Sequence, residues 1–133
     1  FTLENFTRAL KRYPQRKLKQ TLLDQTIMAG LGNIYADEAG HRSGLRPKRR
    51  VKKIKSNEIK KLHRAIKQIL RLAIARGGTS IRDYRRSDGT RGGFVPHLKV
   101  YGLAGKPCKR CRTPIVKIKL AGRGTHFCPR CQK

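Results

Sequence analysis

Four cysteines near the C-terminal end of the chain have the spacing of a metal site. Cys108 and Cys111 form one C-x2-C pair, and after sixteen intervening residues Cys128 and Cys131 form a second. Two residues between thiols let one tight turn present both sulfurs to a tetrahedral ion, and two such pairs complete a four-thiolate site. We therefore predict one structural zinc ion (Zn2+), with no coordination position left for a catalytic water. Two disulfides are the alternative, and they would require an oxidising compartment.

A glycine-bearing bend earlier in the chain is suited to phosphate binding. Gly30 and Gly32 lie in the segment that immediately precedes Asn33. Glycine amides can approach a phosphate without side-chain obstruction, and the helix predicted to follow adds the positive end of its dipole. Asn33 is predicted to cap that helix, and its side-chain amide can also donate to a phosphate. The alternative is that the glycines only form the turn and Asn33 only caps the helix.

Arg123 is a second candidate for phosphate contact. It lies between Gly122 and Gly124 in the segment GRGTHF, which we interpret as the tip of a hairpin. A guanidinium at such a tip can reach a phosphate through two parallel hydrogen bonds. The alternative is one more solvated cation in a chain that has 34 lysines and arginines.

Apolar residues at helical spacing predict the elements that position these residues. Helices are expected over about 3–12, 17–25 and 33–44, the last closed by Gly44. A longer helix is predicted to start at a Ser56 cap and to end at Gly77 and Gly78. Its apolar stripe comprises Ile59, Leu62, Ile66, Ile69, Leu70, Ala73 and Ile74.

The last third of the chain has the alternation of short strands. HLKVYG (97–102) and VKIKL (116–120) are predicted strands, and 79–94 is predicted to be a mobile loop. The expected fold is mainly α with a small β zinc hairpin. We place a helical domain at 1–95 and a zinc-finger hairpin at 96–133.

The composition indicates a polyanionic partner. The 133 residues include 34 Lys and Arg against 7 Asp and Glu, for a formal net charge of +27. Solubility of a small domain needs a net charge of only about 2–8. No run approaches the roughly 20 apolar residues of a membrane span, so no membrane association is expected. The length allows one domain or two very small ones and excludes a large multi-domain enzyme.

Several segments, in this order, resemble the C-terminal half of the bacterial formamidopyrimidine-DNA glycosylase and endonuclease VIII family. They are LLDQTIMAGLGNIYADEA, GGTSIRDY, LKVYG, the first C-x2-C pair and GRGTHFCPRCQ. The resemblance implies a helix-two-turns-helix DNA-binding motif at GLGNIY, followed by a zinc finger. It implies nucleic-acid-binding roles for Gly30, Gly32, Asn33, Tyr35, Arg82 and Arg123.

The function implied is that of the nucleic-acid-binding half of an oxidised-base DNA glycosylase, which clamps the phosphates of duplex DNA. The family cuts the glycosidic bond with an N-terminal proline amine and an adjacent glutamate, whereas this chain starts at Phe1. We therefore expect a processed, truncated or partial chain that does not excise bases without an N-terminal catalytic domain. Asp37 and Glu38 are not expected to form a catalytic dyad because neighbouring helix residues point in different directions. Glu38 is expected to orient the turn region, and lysines such as Lys19 are expected to be protonated surface cations.

A second function remains open from the sequence. The same scaffold, without a catalytic half and with this charge, could hold structured RNA in a ribonucleoprotein such as the ribosome. Either function is expected in the bacterial cytoplasm, at the nucleoid for the repair protein, or in an organelle of bacterial ancestry.

Overall fold

The computed structural model describes residues 1–24, 26–27, 31–75 and 97–133. The loop predicted at 79–94 and the cap predicted at Gly77 and Gly78 lie outside these residues. So does the boundary predicted between 95 and 96, and all three remain predictions.

Helices come first in the described structure and a two-stranded hairpin comes last. The helices are α1 (Leu3–Lys11), α2 (Leu18–Leu22), α3 (Asn33–Ser43) and α4 (Ser56–Ala75), with a 3-10 turn at Val51–Lys53 before α4. Strands β1 (Val116–Leu120) and β2 (Arg123–Phe127) form the hairpin. This order confirms the predicted fold class, mainly α with a small β hairpin beside four cysteines.

One apolar cluster packs the helices together. Its buried members come from all four helices and from the segments between them, and they are Phe6, Leu10, Leu18, Leu22, Leu31, Ala36, Ala39, Leu45, Val51, Ile54, Ile59, Leu62 and Ile66. Ile69, further along the predicted stripe of α4, packs in a second small cluster with Leu98. Ile74 is 83% exposed, so the stripe ends before the helix does. Within the described ranges, no helix combines the length and apolar character that crossing a membrane requires.

Helix boundaries differ from the predictions at three places. The second helix ends at Leu22 rather than near residue 25. Gly32, in extended conformation, occupies the N-cap of α3, and Asn33 is the first helical residue, so the predicted Asn33 cap is wrong. Ser56 is likewise the first residue of α4, because the Lys55 carbonyl accepts from Glu58 N and Ile59 N at 3.0 Å each. Gly44, as predicted, closes α3 in the left-handed region at φ +77°.

The strand predicted at 97–102 does not form. The backbone N–H groups of Lys99, Val100 and Tyr101 all donate to the carboxylate of Glu38, at 2.8, 2.9 and 2.9 Å. In a strand, successive N–H groups point to opposite edges and cannot converge on one side chain. The apolar alternation was therefore misleading, since an acid on α3 organises this segment.

The hairpin has a two-residue turn. β1 and β2 are antiparallel, and Leu120 pairs with Arg123 next to the turn. Ala121 and Gly122 both have positive φ, 53° and 76°, which is the type I′ geometry that matches the twist of the two strands. This turn places Arg123 at the tip, as predicted.

Candidate nucleic-acid interface and metal centre

The four cysteine sulfurs converge on one point. Their Sγ atoms all lie within 4.8 Å of one another, with Cys111 to Cys128 at 3.4 Å and Cys108 to Cys131 at 3.8 Å. A tetrahedral site with Zn–S bonds of about 2.3 Å needs sulfurs about 3.8 Å apart. All four thiols are free, which excludes the disulfide alternative in this structure. The donor set fits one structural zinc ion and confirms the predicted cofactor.

Backbone hydrogen bonds shape both cysteine turns. Arg110 N and Cys131 N each donate to a cysteine sulfur two or three residues earlier, at 3.4 Å in both turns. Burial raises the pKa of Cys128 and of Cys131, the latter to about 12. A bound cation supplies the charge that keeps such thiols deprotonated.

The structure brings two of the predicted phosphate-binding segments together. Asn33, at the start of α3, donates from Nδ2 to the carbonyl of Gly124 at 3.0 Å. Gly124 follows Arg123, whose side chain is exposed at the hairpin tip. The bend that ends at Gly32 and the tip of the hairpin therefore lie at the same end of α3. We call this surface, formed by Gly32, Asn33 and Arg123, the α3–hairpin clamp.

The remaining predicted residues are placed differently. Tyr35 is half-buried and packs against both apolar clusters, so its ring has a packing role. Gly30 and Arg82 lie outside the described residues. Their predicted contacts with nucleic acid, and that of Tyr35, remain predictions.

Sequence reasoning missed a buried polar network behind the clamp. Lys19, expected as a surface cation, is 1% exposed and forms an ion pair with Asp37, whose side chain is fully buried. The same carboxylate accepts from His126 N at 2.9 Å and contacts His126 Nδ1 at 3.1 Å. Burial lowers the pKa of Lys19, and the charge of Asp37 opposes that shift. The available signal was the scarcity of acids, since two of only seven are adjacent here.

We expected Glu38 to orient the turn region, and its contacts among the described residues are with a different segment. Its carboxylate binds the segment 99–101 instead, next to the zinc centre. Burial raises the pKa of Glu38, and the three backbone donors act in the opposite direction. The ring of Tyr101 lies 4.7 Å from the ring of His126, which connects this segment to the network around Asp37.

Two protein-family models match the chain. The Formamidopyrimidine-DNA glycosylase H2TH domain matches residues 1–85, and the Zinc finger found in FPG and IleRS matches residues 105–133. The Formamidopyrimidine-DNA glycosylase of Desulfitobacterium hafniense is 53% identical over 124 residues, which are 92% of this chain and 45% of that protein. That of Listeria monocytogenes is 48% identical over 133 residues, 100% of this chain and 48% of its own length.

Solved structures of Fpg proteins are also similar to this chain. The crystal structure of the MutM (Fpg) protein from Thermus thermophilus superposes with a TM-score of 0.89 at 44% identity, covering 98% of this chain and 50% of that one. The complex of Lactococcus lactis Fpg with abasic-site DNA gives a TM-score of 0.89 at 42% identity, covering 100% and 48%. The chain thus spans about half the length of the relatives it matches.

Proposed function

Because this chain belongs to the formamidopyrimidine-DNA glycosylase family, we propose that it is the nucleic-acid-binding half of an oxidised-base DNA glycosylase. In this proposal the α3–hairpin clamp holds the phosphates of duplex DNA, while base excision belongs to the whole protein. The relatives described above are bacterial DNA glycosylases, and one of the similar structures contains abasic-site DNA. These comparisons favour DNA over RNA as the partner, and a DNA-binding bacterial protein would act at the nucleoid.

The observation that carries the proposal is the hydrogen bond between Asn33 and Gly124. It holds two different kinds of phosphate-binding group at one surface, the N-terminal end of α3 and the guanidinium of Arg123. The amide nitrogen of Asn33 has two hydrogens, and one of them goes to Gly124. We assign the second to a phosphate oxygen.

The net charge of +27 supplies long-range attraction but no geometry. A charged surface alone would bind any polyanion, and each lysine or arginine would then contribute similarly. The clamp makes a different prediction, because Arg123 is expected to contribute far more than an exposed lysine elsewhere.

Binding of a labelled duplex with an abasic-site analogue tests this proposal. Arg123→Ala is expected to weaken binding by about tenfold to a hundredfold, the range of a hydrogen bond to a charged group. It should also reduce the slope of log affinity against log salt by about 0.9 for each phosphate that is no longer neutralised. Lys60→Ala, on the exposed side of α4, removes the same charge and is the matched control.

Two outcomes would contradict the proposal. One is equal weakening by Arg123→Ala and Lys60→Ala, which would mean that net charge alone binds DNA. The other is tighter binding of structured RNA than of the abasic duplex at the same salt concentration, which would favour the RNA-binding alternative.

A further inference from the structure

Two hydrogen-bonded contacts join α3 to β2 along their length. Asn33 bonds to Gly124, and Asp37 bonds to His126. Asn33 and Asp37 are four residues apart on a helix, about 6 Å along its axis. Gly124 and His126 are two residues apart on a strand, about 6.6 Å. Because the two spacings nearly match, both contacts form at once, and together they fix the position of β2 along α3.

Asp37 is the anchor of the second contact and is bound from two sides. Its Oδ2 faces the backbone and the ring of His126, and its Oδ1 faces the ammonium of Lys19 on α2. One buried carboxylate therefore links α2, α3 and β2. Apolar packing alone would allow the hairpin to slide by a fraction of a residue, whereas hydrogen bonds are directional.

Charge gives Asp37 a second role at this place. The positive charge of Arg123 is close enough to Lys19 to lower the pKa of its amine, after the larger effect of burial. Asp37 opposes the shift and so offsets the repulsion between the two cations. Without the carboxylate of Asp37, the buried ammonium of Lys19 would lie near β2 with no negative charge between it and Arg123.

We propose that Asp37 is a positioning residue of the α3–hairpin clamp, which holds Arg123 at a fixed distance from the start of α3 so that both reach the phosphates of one backbone. This inference rests on the proposed function. It extends that function from the residues that face the nucleic acid to a side chain that solvent does not reach.

A double-mutant cycle separates positioning from general stabilisation. If Asp37 acts through Arg123, its replacement weakens binding only while Arg123 is present to be positioned. If Asp37 only stabilises the fold, its replacement weakens binding equally with and without Arg123. Asp37→Asn also removes one negative charge, which by itself would strengthen binding to DNA. A weakening is therefore opposite to what net charge predicts.

The experiment uses the zinc-loaded 133-residue chain and a duplex with an abasic-site analogue. Asp37→Asn is expected to weaken binding about tenfold and to reduce the salt slope by about 0.9, the value for one phosphate. In the Arg123→Ala background the same change should have an effect of less than about twofold. Glu58→Gln removes a carboxylate in the first turn of α4 that is paired with Arg49 rather than with β2. It is the charge-matched control, with binding expected within about twofold of the original chain.

Each outcome has one interpretation. The proposed function fails, and this inference with it, if two results are found together. The original chain would bind the abasic duplex no more tightly than structured RNA, and Arg123→Ala would have no effect on binding. If Arg123→Ala weakens binding but Asp37→Asn does not, or does so equally in both backgrounds, only the inference fails. Should Asp37→Asn lose zinc or helical structure, the double variant Lys19→Met with Asp37→Asn takes its place in the cycle, since it leaves no unpaired buried cation.

Discussion

The four helices α1–α4 and the zinc module, which comprises residues 97–133, are stabilised in different ways. The helices share an apolar cluster of thirteen buried residues that spans every helix of the described chain. Among the described residues, the cluster around the metal centre has four buried members, and they are Val100, Cys108, Ile115 and Cys128. Two of the four are metal ligands, so apolar burial contributes little there. We therefore expect that the zinc module needs a metal ion to fold and that the helices do not.

Helix α3 shows the same difference on its two sides. Ala36 and Ala39 belong to the apolar cluster of the helices. Asp37 and Glu38 are also buried, yet they bind β2 and the segment 99–101 through hydrogen bonds. The zinc module is thus positioned on the helices by directional polar contacts, which specify a single arrangement more strictly than apolar contact does.

Removal of zinc should separate the two parts most clearly. Structural zinc contributes about 10–16 kcal/mol in small zinc-finger peptides. A strong chelator, or Cys128→Ser, is therefore expected to unfold the hairpin while the helices persist. Far-UV circular dichroism would report the helices, and the dispersion of amide NMR signals from 116–127 would report the hairpin. Return of that dispersion on addition of Zn2+ is the control for the chelator.

The opposite result would remove the basis of the comparison. If the hairpin signals stay dispersed without metal, polar contacts with α3 suffice to fold the module. If the helical signal is lost together with the hairpin, the two parts form one cooperative unit.

Glu38→Gln tests the polar contacts alone and should have the next largest effect. Glutamine has one acceptor oxygen in place of two, and its amino group would face N–H donors of 99–101. Each buried donor left unpaired costs about 1–3 kcal/mol. We expect the free energy of unfolding to fall by about 2–3 kcal/mol, measured by urea denaturation of the zinc-loaded chain. A decrease below about 0.5 kcal/mol would show that the segment is held mainly by the metal.

The sequence predicted the features that depend on neighbouring residues and missed those that depend on partners far away along the chain. The zinc site and α3 depend on local spacing, and both were found from motifs a few residues long. The irregular segment at 97–102 depends on a carboxylate about sixty residues earlier, so its local alternation indicated a strand that does not form. The burial of Lys19 was missed for the same reason, because its partner is eighteen residues away and on another helix.

Loss of the ion pair between Arg49 and Glu58 should lower the free energy of unfolding least. It gives a matched comparison for Glu38→Gln, since both changes replace a glutamate by glutamine. Arg49 Nη1 and Nη2 donate to the two carboxylate oxygens at 2.6 and 2.7 Å, and the side chains of Arg49 and Glu58 are 21% and 24% exposed. The hydrogen bonds from Arg49 lower the pKa of Glu58 below its usual value of 4.5. Partly exposed pairs contribute about 1 kcal/mol or less, so Glu58→Gln should cost far less than Glu38→Gln at pH 7.

The pH dependence of the free-energy loss in Glu58→Gln shows whether it comes from the charge of Glu58. Since the pKa of Glu58 is lower in the folded chain than in the unfolded chain, the unfolded chain binds the proton more readily. The stabilisation is therefore complete above pH 4.5 and is lost as the pH falls through the lower, folded-state value. Urea denaturation of the original chain and of Glu58→Gln should give unfolding free energies that converge over this interval. A difference that stays constant with pH would mean that packing of the side chain, rather than its charge, stabilises the start of α4.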